Sequence, residues 1–358
     1  MHKKVIVAMS GGVDSSVAAL LLKQQGYEVI GITMQIWQND EPITGACCSL
    51  DAVSDARMVA HKLSIRHYVF NFRDEFKNKV IDYFCREYLE GHTPNPCIAC
   101  NRYLKFESLI SKAIAMDADF IATGHYARII KDDNSGLYTL FKGLDSSKDQ
   151  SYALYTLNQH QLHHTLFPLG IYTKPMVRKL AEEAGLPVSD KVESQDLCFV
   201  SAGCYGEFVD NYSGLETKTG LFRSTTGEPL GPHKGIHHYT IGQRKGLGLA
   251  LGHPVYITAI DADTNTVWVG EHQELFHNTL IAQDVNYISG TALEDAQHLS
   301  AKIRYSAAPM PALVTPLDNN RMRVEFTTAQ RAITPGQAVV LYDGDQVLGG
   351  GIINSVDE

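Results

Sequence analysis

Short apolar runs alternate with amphipathic stretches through the N-terminal part of the chain. Continuous apolar runs are typical of strands buried on both faces, and apolar residues at helical spacing are typical of the helices that cover such strands. The predicted strands are residues 5–9, 29–34, 67–72 and 120–123, and the predicted helices lie over residues 17–25, 51–63, 76–88, 103–116 and 175–185. This pattern predicts an α/β domain with helices on both faces of a parallel sheet.

Helical periodicity fades after about residue 205, and short strand patterns separated by turn residues replace it. Turn signals such as Thr226-Gly227 divide the strand patterns of residues 221–270. From about residue 278, alternation returns at residues 303–305, 322–326 and 338–341. We therefore predict that residues 1–205 form the α/β domain, residues 206–277 a small β-rich domain, and residues 278–358 a C-terminal β-barrel.

The composition predicts a globular protein with a substantial core, because 44% of its 358 residues are hydrophobic. No apolar stretch approaches the roughly twenty residues of a membrane span, and the N-terminal residues lead directly into the first strand without a signal-peptide pattern. We therefore expect a cytoplasmic protein without a membrane partner.

The formal charge of −9 argues against a general affinity for nucleic acid. A nucleic-acid partner needs a local basic surface, assembled in three dimensions from separate parts of the chain. The candidate basic residues are Arg102, Lys105, Lys148, Arg244, Lys245 and Arg304.

A glycine-rich segment joins the first predicted strand to the first predicted helix. Its residues are Ala8, Met9, Ser10, Gly11, Gly12, Val13, Asp14 and Ser15. Backbone N–H groups at such a helix start bind anions, glycines allow close backbone approach, and serine hydroxyls add donors. Asp14 can orient the loop or a Mg²⁺ ion. No lysine follows Gly12, so the segment predicts a phosphate site that is not a Walker loop.

Seven cysteines occur in a chain too long to need disulfide staples, so reactive or metal-binding thiols are expected. Cys97 and Cys100 lie in a proline-rich segment, predicted to be a loop that leads into the helix over 103–116. A helix N-terminus favours the nucleophilic thiolate. Cys198 lies on a predicted loop after the last helix of the first domain, where the fold can bring it to Cys100. Cys85 is predicted to be a core residue. No role is assigned to Cys47, Cys48 and Cys204.

The glycine-rich segment resembles the phosphate loop of the PP-loop ATP pyrophosphatases. Members of that superfamily cleave ATP between the α and β phosphates and adenylate a substrate oxygen. The resemblance therefore implies ATP and Mg²⁺ as cofactors, and AMP and pyrophosphate as products. The loop does not select a substrate, because the superfamily includes amide and argininosuccinate synthetases.

Further motifs extend the resemblance over nearly the whole chain and narrow it to one family. The chain resembles the bacterial tRNA-specific 2-thiouridylases in its phosphate loop and in ordered motifs at residues 93–101, 123–128, 148–152, 198, 239–248, 302–305 and 335–338. This resemblance implies thiolation at C2 of the wobble uridine in tRNAs for Lys, Glu and Gln. ATP adenylates the uracil oxygen, and sulfur then replaces that oxygen.

The resemblance also implies roles for residues of this chain. Cys198 looks like the acceptor of a persulfide sulfur from a donor or sulfur-relay protein, and Cys100 like the partner nucleophile that releases it by forming a disulfide with Cys198. Met34 and Gly124 match positions near the adenosine, and the target base is expected to be flipped into the pocket. The implied contacts with the tRNA anticodon loop are Asn95, Pro96, Cys97, His125, Lys148, Asp149, Gln150, Arg304, Tyr305 and Gln337.

Cys97 departs from the family pattern, in which this position carries aspartate, a candidate general base. Cys97, Cys100 and Cys198 supply three thiolates, which is one fewer than a closed zinc site and enough for a [4Fe-4S] cluster with one open iron. An open iron binds sulfide directly, without a persulfide. Both routes for sulfur are compatible with the sequence.

Two other functions are compatible with the sequence. Another PP-loop enzyme, acting on a small molecule, would turn over ATP without tRNA and would not need Cys198. A non-catalytic RNA-binding protein would bind tRNA without forming AMP. The intact segment from Ser10 to Ser16 beside two thiols favours catalysis over this second alternative.

Overall fold

The structure, a computed structural model, describes residues 3–37, 50–191, 197–200, 205–214 and 218–357. Cys47, Cys48 and Cys204 lie outside the described residues.

A parallel sheet forms the centre of the N-terminal part. Its strands are β1 (Lys4–Ala8), β2 (Glu28–Gln35), β3 (Arg66–Asn71), β4 (Phe120–Ala122) and β7 (Thr165–Leu166), in the order β3-β2-β1-β4-β7. Val5 and Val7 of β1 pack into the core on one face of the sheet, and Ile6 packs into the core on the other. Both faces are buried, which explains why the sequence of these strands is continuously apolar.

Helices cover both faces of this sheet. On the face of Val5 lie α1 (Val13–Gln24), α2 (Leu50–Lys62) and α8 (Lys174–Glu183). On the face of Ile6 lie α3 (Arg73–Phe76), α4 (Asp82–Leu89), α5 (Pro96–Ala99), α6 (Leu109–Ala115), α7 (Gln159–His163) and α9 (Tyr205–Ser213). The helix widens to π geometry over Lys77–Ile81, between α3 and α4, and over Cys100–Ser108, between α5 and α6. The predicted α/β architecture is confirmed, although the sequence pattern did not reveal α9.

The central part of the chain forms a small sheet with its own core. Its strands are β8 (Gly220–Ser224), β9 (Pro229–His233), β10 (Tyr256–Asp261) and β11 (Thr266–Gly270), in the order β10-β11-β8-β9. Short 3₁₀ turns lie in this part at Ile236–His238 and His272–Leu275, and another lies in the N-terminal part at Ser151–Leu154. Phe222, Ile257 and Val267 are fully buried between this sheet and the turn at Ile236–His238.

The C-terminal strands close into a barrel. They are β12 (Phe276–Tyr287), β13 (Gln297–Lys302), β14 (Met310–Leu317), β15 (Arg321–Arg331), β16 (Ala338–Asp343) and β17 (Gln346–Asp357). They follow the order β12-β15-β14-β13-β16-β17, and β17 pairs back with β12. The predicted terminal barrel is confirmed.

The strand predicted at residues 303–305 is wrong. β13 ends at Lys302, and the chain bends at Ile303 and Arg304. Ile303 is buried and Tyr305 exposed. The apolar–polar alternation therefore comes from a bend and not from the pleat of a strand.

A hairpin from the N-terminal part extends the sheet of the C-terminal part. It consists of β5 (Ala127–Lys131) and β6 (Tyr138–Lys142), and β6 pairs antiparallel with β17 through Phe141↔Gln346 and Leu140↔Val347. Arg128 and Lys142 of the hairpin contact Asp345. The first and last parts of the chain thus share one continuous sheet. Among the described residues, no helix has the length and apolar character needed to cross a membrane.

Candidate active site

The glycine-rich segment lies where the strand order of the parallel sheet reverses. From β1 the chain proceeds outward to β2 and β3, and it then returns to place β4 on the other side of β1. Ligands of open α/β sheets bind outside the carboxyl ends of the strands at such a switch point. Residues 9–12 follow β1 there, and Thr123-Gly124-His125 follow β4.

Gly11 and Gly12 shape the loop between β1 and α1. Gly11 has φ +69°, and a Cβ on it would lie 2.3 Å from the carbonyl oxygen of Ala52. Gly12 precedes the first residue of α1 and adopts an extended conformation. Position 11 needs glycine, because glycine alone tolerates both the positive φ and the close approach of Ala52. The chain can therefore turn from the loop directly into α1.

Serine hydroxyls hold the loop from inside. The amide of Ser10 donates to Ser15 Oγ at 3.2 Å, and Ser16 Oγ donates to the carbonyl of Gly12 at 2.8 Å. Ser15 and Ser16 are buried, whereas Ser10 is exposed. The α1 N-terminus, with its unpaired N–H groups and positive dipole end, is therefore presented on a rigid turn that suits a phosphate group.

Asp14 lies in the first turn of α1 and is held by two side chains from distant parts of the sequence. Lys174 Nζ donates to Asp14 Oδ1 at 2.7 Å and to Oδ2 at 2.8 Å, and Tyr126 OH donates to Oδ1 at 2.7 Å. The side chain of Lys174 is only 8% exposed, so this ion pair is largely shielded from water. Asp14 orients the loop through these contacts, and its charge is matched by a lysine.

Lys174 and Lys191 are functional candidates that sequence reasoning missed. Lys174 lies 160 residues from Asp14 and shows no local pattern beyond its place at the start of a helix. Lys191 Nζ donates to the carbonyl of Gly11 at 3.0 Å and pairs with Asp55. Both lysines bring positive charge to the phosphate loop, where a Walker loop would carry its own lysine.

Gly124 and Met34 lie on opposite sides of β1 at the same edge of the sheet. A Cβ on Gly124 would lie 2.8 Å from the backbone nitrogen of Ser15, so Gly124 allows the segment after β4 to touch α1. Met34 is near the end of β2 and is 8% exposed. These positions are consistent with the expectation that both lie beside a bound adenosine.

The cysteine-bearing segment is a helix, which corrects the prediction of a loop around Cys97 and Cys100. Asn95 caps the helix, and its side chain accepts hydrogen bonds from the amides of Cys97 at 3.1 Å and Ile98 at 3.3 Å. Pro96 follows in the first helical position, where its missing N–H costs nothing. Cys97 is exposed and Cys100 half-buried, near the positive end of the helix dipole.

Cys198 lies in a turn at the margin of the same hydrophobic core as Cys100. The neighbouring Phe199 packs its ring edge-on against Phe84 and Phe76. Among the residues that the structure describes, no three thiols lie within 4.8 Å of one another. Cys85, as predicted for a core cysteine, is buried, and burial raises its pKa to about 12.

Thr93 connects the thiol-bearing helix to the other two parts of the chain. Its amide donates to the carbonyl of Pro335 at 2.9 Å, and its carbonyl accepts from Gln337 Nε2 at 2.7 Å. Its hydroxyl lies 3.4 Å from that of Thr240 in the central part. Gln337 uses its amide nitrogen inside the protein, and its predicted contact with tRNA stays a prediction.

His125 is largely buried, three residues after the end of β4. It is 8% exposed, its ring lies between those of Phe106 and Phe167, and its Nδ1 is 2.6 Å from Thr123 Oγ1. Burial, followed by the charge of Lys105, lowers the pKa of His125 well below the ordinary value. His125 is therefore a neutral histidine that packs the segment after β4 against the thiol-bearing helix, and its contact with tRNA stays a prediction.

Asp149 and Gln150 also use their side chains internally. Asp149 accepts hydrogen bonds from the amide of Gly143 at 3.0 Å and from Ser151 Oγ at 2.9 Å. Gln150 Oε1 accepts from the amide of Tyr126 at 3.0 Å. These contacts shape the turn that carries Lys148, and the predicted tRNA contacts of all three residues stay predictions.

Arg304 and Tyr305 follow β13 beside two further cations. Arg304 donates to the carbonyl of Ala332 and, at 3.2 Å, to Thr334 Oγ1. Burial, and then the nearby Arg331, lower its pKa. Lys302 Nζ lies 5.6 Å from the ring of Tyr305, which is 47% exposed. The result is a basic and aromatic surface on the barrel, although the chain as a whole is acidic.

The sequence matches known families along most of its length. Residues 3–202 match the family described as tRNA methyl transferase HUP domain, residues 206–271 match tRNA methyl transferase PRC-barrel domain, and residues 277–353 match Aminomethyltransferase beta-barrel domain.

Similar proteins share more than half of their residues with this chain. The tRNA-specific 2-thiouridylase MnmA 2 of Caldanaerobacter subterraneus subsp. tengcongensis is 56% identical over 98% of both chains. The tRNA-specific 2-thiouridylase MnmA of Acetivibrio thermocellus is 56% identical over 98% of this chain and 99% of its own. That of Clostridioides difficile is 54% identical over 99% of this chain and 98% of its own. The chain therefore belongs to the MnmA family of tRNA-specific 2-thiouridylases.

Proposed function

We propose that this chain is a tRNA-uridine 2-sulfurtransferase, which adenylates the C2 oxygen of the wobble uridine with ATP and replaces that oxygen with sulfur. The proposed substrates are the tRNAs for Lys, Glu and Gln, in the cytoplasm, and the products are 2-thiouridine, AMP and pyrophosphate. The relatives named as tRNA-specific 2-thiouridylases support this proposal over a small-molecule PP-loop enzyme.

The observation that carries the proposal is that the phosphate loop and the thiol-bearing helix both pack against one short segment, Gly124-His125. Gly124 touches the backbone of Asp14 and Ser15 at the start of α1. The next residue, His125, packs against Phe106 in the helix that begins at Pro96. An adenylated base held at the loop would therefore lie on the same side of the protein as the thiols.

ATP would bind with its phosphates at residues 10–15. The α1 N-terminus and the serine hydroxyls would hold the anion, while Lys174 and Lys191 add positive charge. The uracil O2 would attack the α-phosphorus, and pyrophosphate would leave. Mg²⁺ is proposed to be held chiefly by ATP phosphate oxygens, because both oxygens of Asp14 already face Lys174.

Sulfur transfer is proposed to follow at C2. A persulfide on Cys198, supplied by a donor protein, would attack C2 through its terminal sulfur and displace AMP. The Cys100 thiolate would then attack Cys198 Sγ, forming a Cys100–Cys198 disulfide and leaving the sulfur on the base. A reductant would restore both thiols. The position of Cys100 near a capped helix N-terminus supports its role as the thiolate.

A [4Fe-4S] cluster on Cys97, Cys100 and Cys198 is the alternative source of sulfur. The three side chains are of the right chemical type, with Cys97 exposed and the other two half-buried. Anaerobic reconstitution of the wild type and of a variant lacking all three cysteines distinguishes the two routes. Equal iron and sulfide contents in the two proteins exclude the cluster.

The tRNA anticodon loop is proposed to lie along Asn95, Pro96 and Cys97 and to extend over Lys148 and Tyr305. The exposure of Cys97 and Tyr305 supports this path. The proposed domain boundaries remain residues 205 and 277. The pairing of β6 with β17 would fix the first and third domains relative to each other across this path.

The proposed function is tested by mass spectrometry of nucleosides from tRNA incubated with the protein, ATP, Mg²⁺ and a sulfide source. The wild type should form 2-thiouridine, and Asp14→Ala should form none. Cys198→Ala should fail with a persulfide donor. Cys85→Ala is the matched cysteine control, because Cys85 is buried on α4 and burial raises the pKa of its thiol, and the variant should keep the activity of the wild type.

Formation of AMP without a thiolated base, under both aerobic and anaerobic conditions, contradicts the proposal and favours a small-molecule substrate. Thiolation that persists in Cys198→Ala with the persulfide donor contradicts the assigned role of Cys198 alone.

A further inference from the structure

Two adjacent histidines and an aspartate meet between α9 and the central part of the chain, away from the phosphate loop. His237 Nε2 lies 2.8 Å from Asp210 Oδ1, and His238 Nε2 lies 3.0 Å from Asp210 Oδ2. The three ligand atoms all lie within 4.8 Å of one another. Nothing in the proposed thiolation chemistry uses these residues.

This cluster is enclosed by close packing of α9. Gly206 lies one turn before Asp210, and a Cβ on it would lie 2.2 Å from His238 Nδ1. Tyr205 OH donates to the carbonyl of His238 at 3.1 Å. The side chain of His237 is only 7% exposed, and that of His238 is 17% exposed. The geometry therefore depends on a glycine that lets the helix approach the rings.

The donor set has the chemistry of a site for a transition-metal ion. Both rings present the same nitrogen, Nε2, to one carboxylate. Two imidazoles and a carboxylate suit Zn²⁺ better than Mg²⁺ or Ca²⁺, which prefer oxygen ligands.

We propose that Asp210, His237 and His238 bind one Zn²⁺-class ion, with water in the remaining coordination position. Such an ion joins α9, which packs on the core of the N-terminal sheet, to the turn at Ile236–His238 in the central part. Its effect reaches the sulfur-acceptor segment, because Phe208 of α9 packs against Phe199, beside Cys198, at 5.2 Å between ring centroids. The ion stabilises the position of that segment and takes no part in the sulfur chemistry.

The test is titration of the metal-stripped, full-length protein with Co²⁺, followed by competition with Zn²⁺. The titration is carried out in the wild type and in a thiol-free variant, in which Cys85 is replaced by alanine and the other six cysteines by serine. Thiolate ligands are then separated from nitrogen and oxygen ligands by their near-ultraviolet charge-transfer bands. The thiol-free variant should bind one Co²⁺ with visible bands and no thiolate band. His238→Gln and Asp210→Asn, each in that background, should weaken binding by at least the roughly 10- to 100-fold that loss of an outer-shell partner costs.

His253→Gln is the matched control, because His253 is exposed in the same part of the chain and bonds only to the carbonyl of Leu251. It should leave Co²⁺ affinity unchanged. Equal affinity and stoichiometry in the parent, His238→Gln and Asp210→Asn proteins overturn the proposal and leave the cluster as a hydrogen-bond network.

Circular dichroism without metal shows whether each variant folds. If both variants unfold, X-ray absorption of the zinc-loaded, thiol-free protein gives the answer. Two imidazole ligands with an oxygen ligand support the site, and a shell of oxygen ligands alone overturns it.

Discussion

Gln337 Nε2 donates a 2.7 Å hydrogen bond to the carbonyl of Thr93, so a residue of the C-terminal barrel holds the segment that leads into the thiol-bearing helix. Thr93 lies two residues before the helix cap Asn95. The barrel therefore helps to position Cys97 and Cys100, even though it contributes no thiol of its own.

Gln337→Ala should reduce thiolation while leaving ATP binding intact. A hydrogen bond of this kind contributes about 0.5–1.5 kcal/mol, which corresponds to a loss of roughly two- to tenfold in kcat/KM for tRNA. Gln330→Ala is the control, because Gln330 lies on the same barrel and its side chain donates to the nearby carbonyl of Thr328. Steady-state kinetics with tRNA and a separate ATP-binding measurement check this, and an equal loss in both variants contradicts it.

Lys174→Met should destabilise the protein and weaken ATP binding together. The substitution leaves the Asp14 carboxylate beside Tyr126 without its cation, at a cost of roughly 1–3 kcal/mol in the free energy of unfolding. Urea unfolding and ATP titration measure the two effects. The Asp14→Asn/Lys174→Met double variant should recover part of the stability and none of the ATP affinity.

Lys179→Met is the matched control for that experiment. Lys179 lies on the same helix, but its side chain is 74% exposed, and it pairs with Glu183 one turn away. An exposed pair of this type contributes less than about 1 kcal/mol. A loss of stability in Lys179→Met as large as that in Lys174→Met argues against a special role for the Asp14–Lys174 pair.

Gly11→Ala should abolish ATP binding, whereas Gly26→Ala should not affect it. Both glycines have positive φ, +69° at Gly11 and +86° at Gly26, so both substitutions carry backbone strain of order 1 kcal/mol. Only Gly11 places the new Cβ against backbone, 2.3 Å from the carbonyl oxygen of Ala52, while Gly26 has nothing within 4 Å. Calorimetric titration with ATP compares them. Equal affinities show that the close approach of α2 does not shape the loop.

The ion pair of His92 with Glu87 predicts a pH-dependent contribution to stability. The hydrogen bond that His92 Nδ1 donates to the Glu87 carboxylate is the largest cause that raises the pKa of His92. Because the folded pKa is raised, the contribution should be fully present below the ordinary histidine value of about 6.5 and lost as the pH rises through the folded value. The effect should be small, since the side chain of His92 is 37% exposed.

Urea unfolding of the wild type and of Glu87→Gln across this pH range measures the contribution of the pair. The difference between the two proteins should be largest at the acidic end and should shrink above neutral pH. A difference that grows with pH contradicts the assigned cause.

Lys148→Gln should weaken tRNA binding and reduce its dependence on salt. Loss of one phosphate contact lowers the slope of log affinity against log salt by about one. Lys62 is an exposed lysine of α2, on the face of the parallel sheet opposite the thiol-bearing helix. Lys62→Gln should change neither the tRNA affinity nor its salt dependence. Filter binding at several salt concentrations gives both slopes, and identical slopes exclude Lys148 from the interface.

Local patterns predicted the features that depend on neighbouring residues. The continuously apolar strands, the glycine-rich turn before α1 and the alternating strands of the barrel all follow from short stretches of sequence, and the structure has them. Asn95-Pro96 is also a local signal for a helix start, but the prolines led to the prediction of a loop.

Long-range contacts explain the features that the sequence did not predict. Lys174 meets Asp14 from 160 residues away, and no residue near either one indicates the pairing. A histidine that follows a strand is compatible with either an exposed or a buried site. Only the packing of Phe106 and Phe167 around the ring shows that His125 is buried. The sequence of the bend after Lys302 resembles that of a strand, since an alternation over residues 303–305 is too short to distinguish a bend from a strand.

The pairing of β6 with β17 determines how late in synthesis the chain can complete its fold. Arg128 of the hairpin and Asp345 beside the last strand are 217 residues apart, so this contact can form only when almost the whole chain has left the ribosome. Before that moment β6 has an unpaired edge, and the segment that leads to Cys100 lacks its support from Pro335 and Gln337. We therefore expect chains that end before Pro335 to hold the segment before the thiol-bearing helix less firmly, and to transfer less sulfur to tRNA than the complete chain.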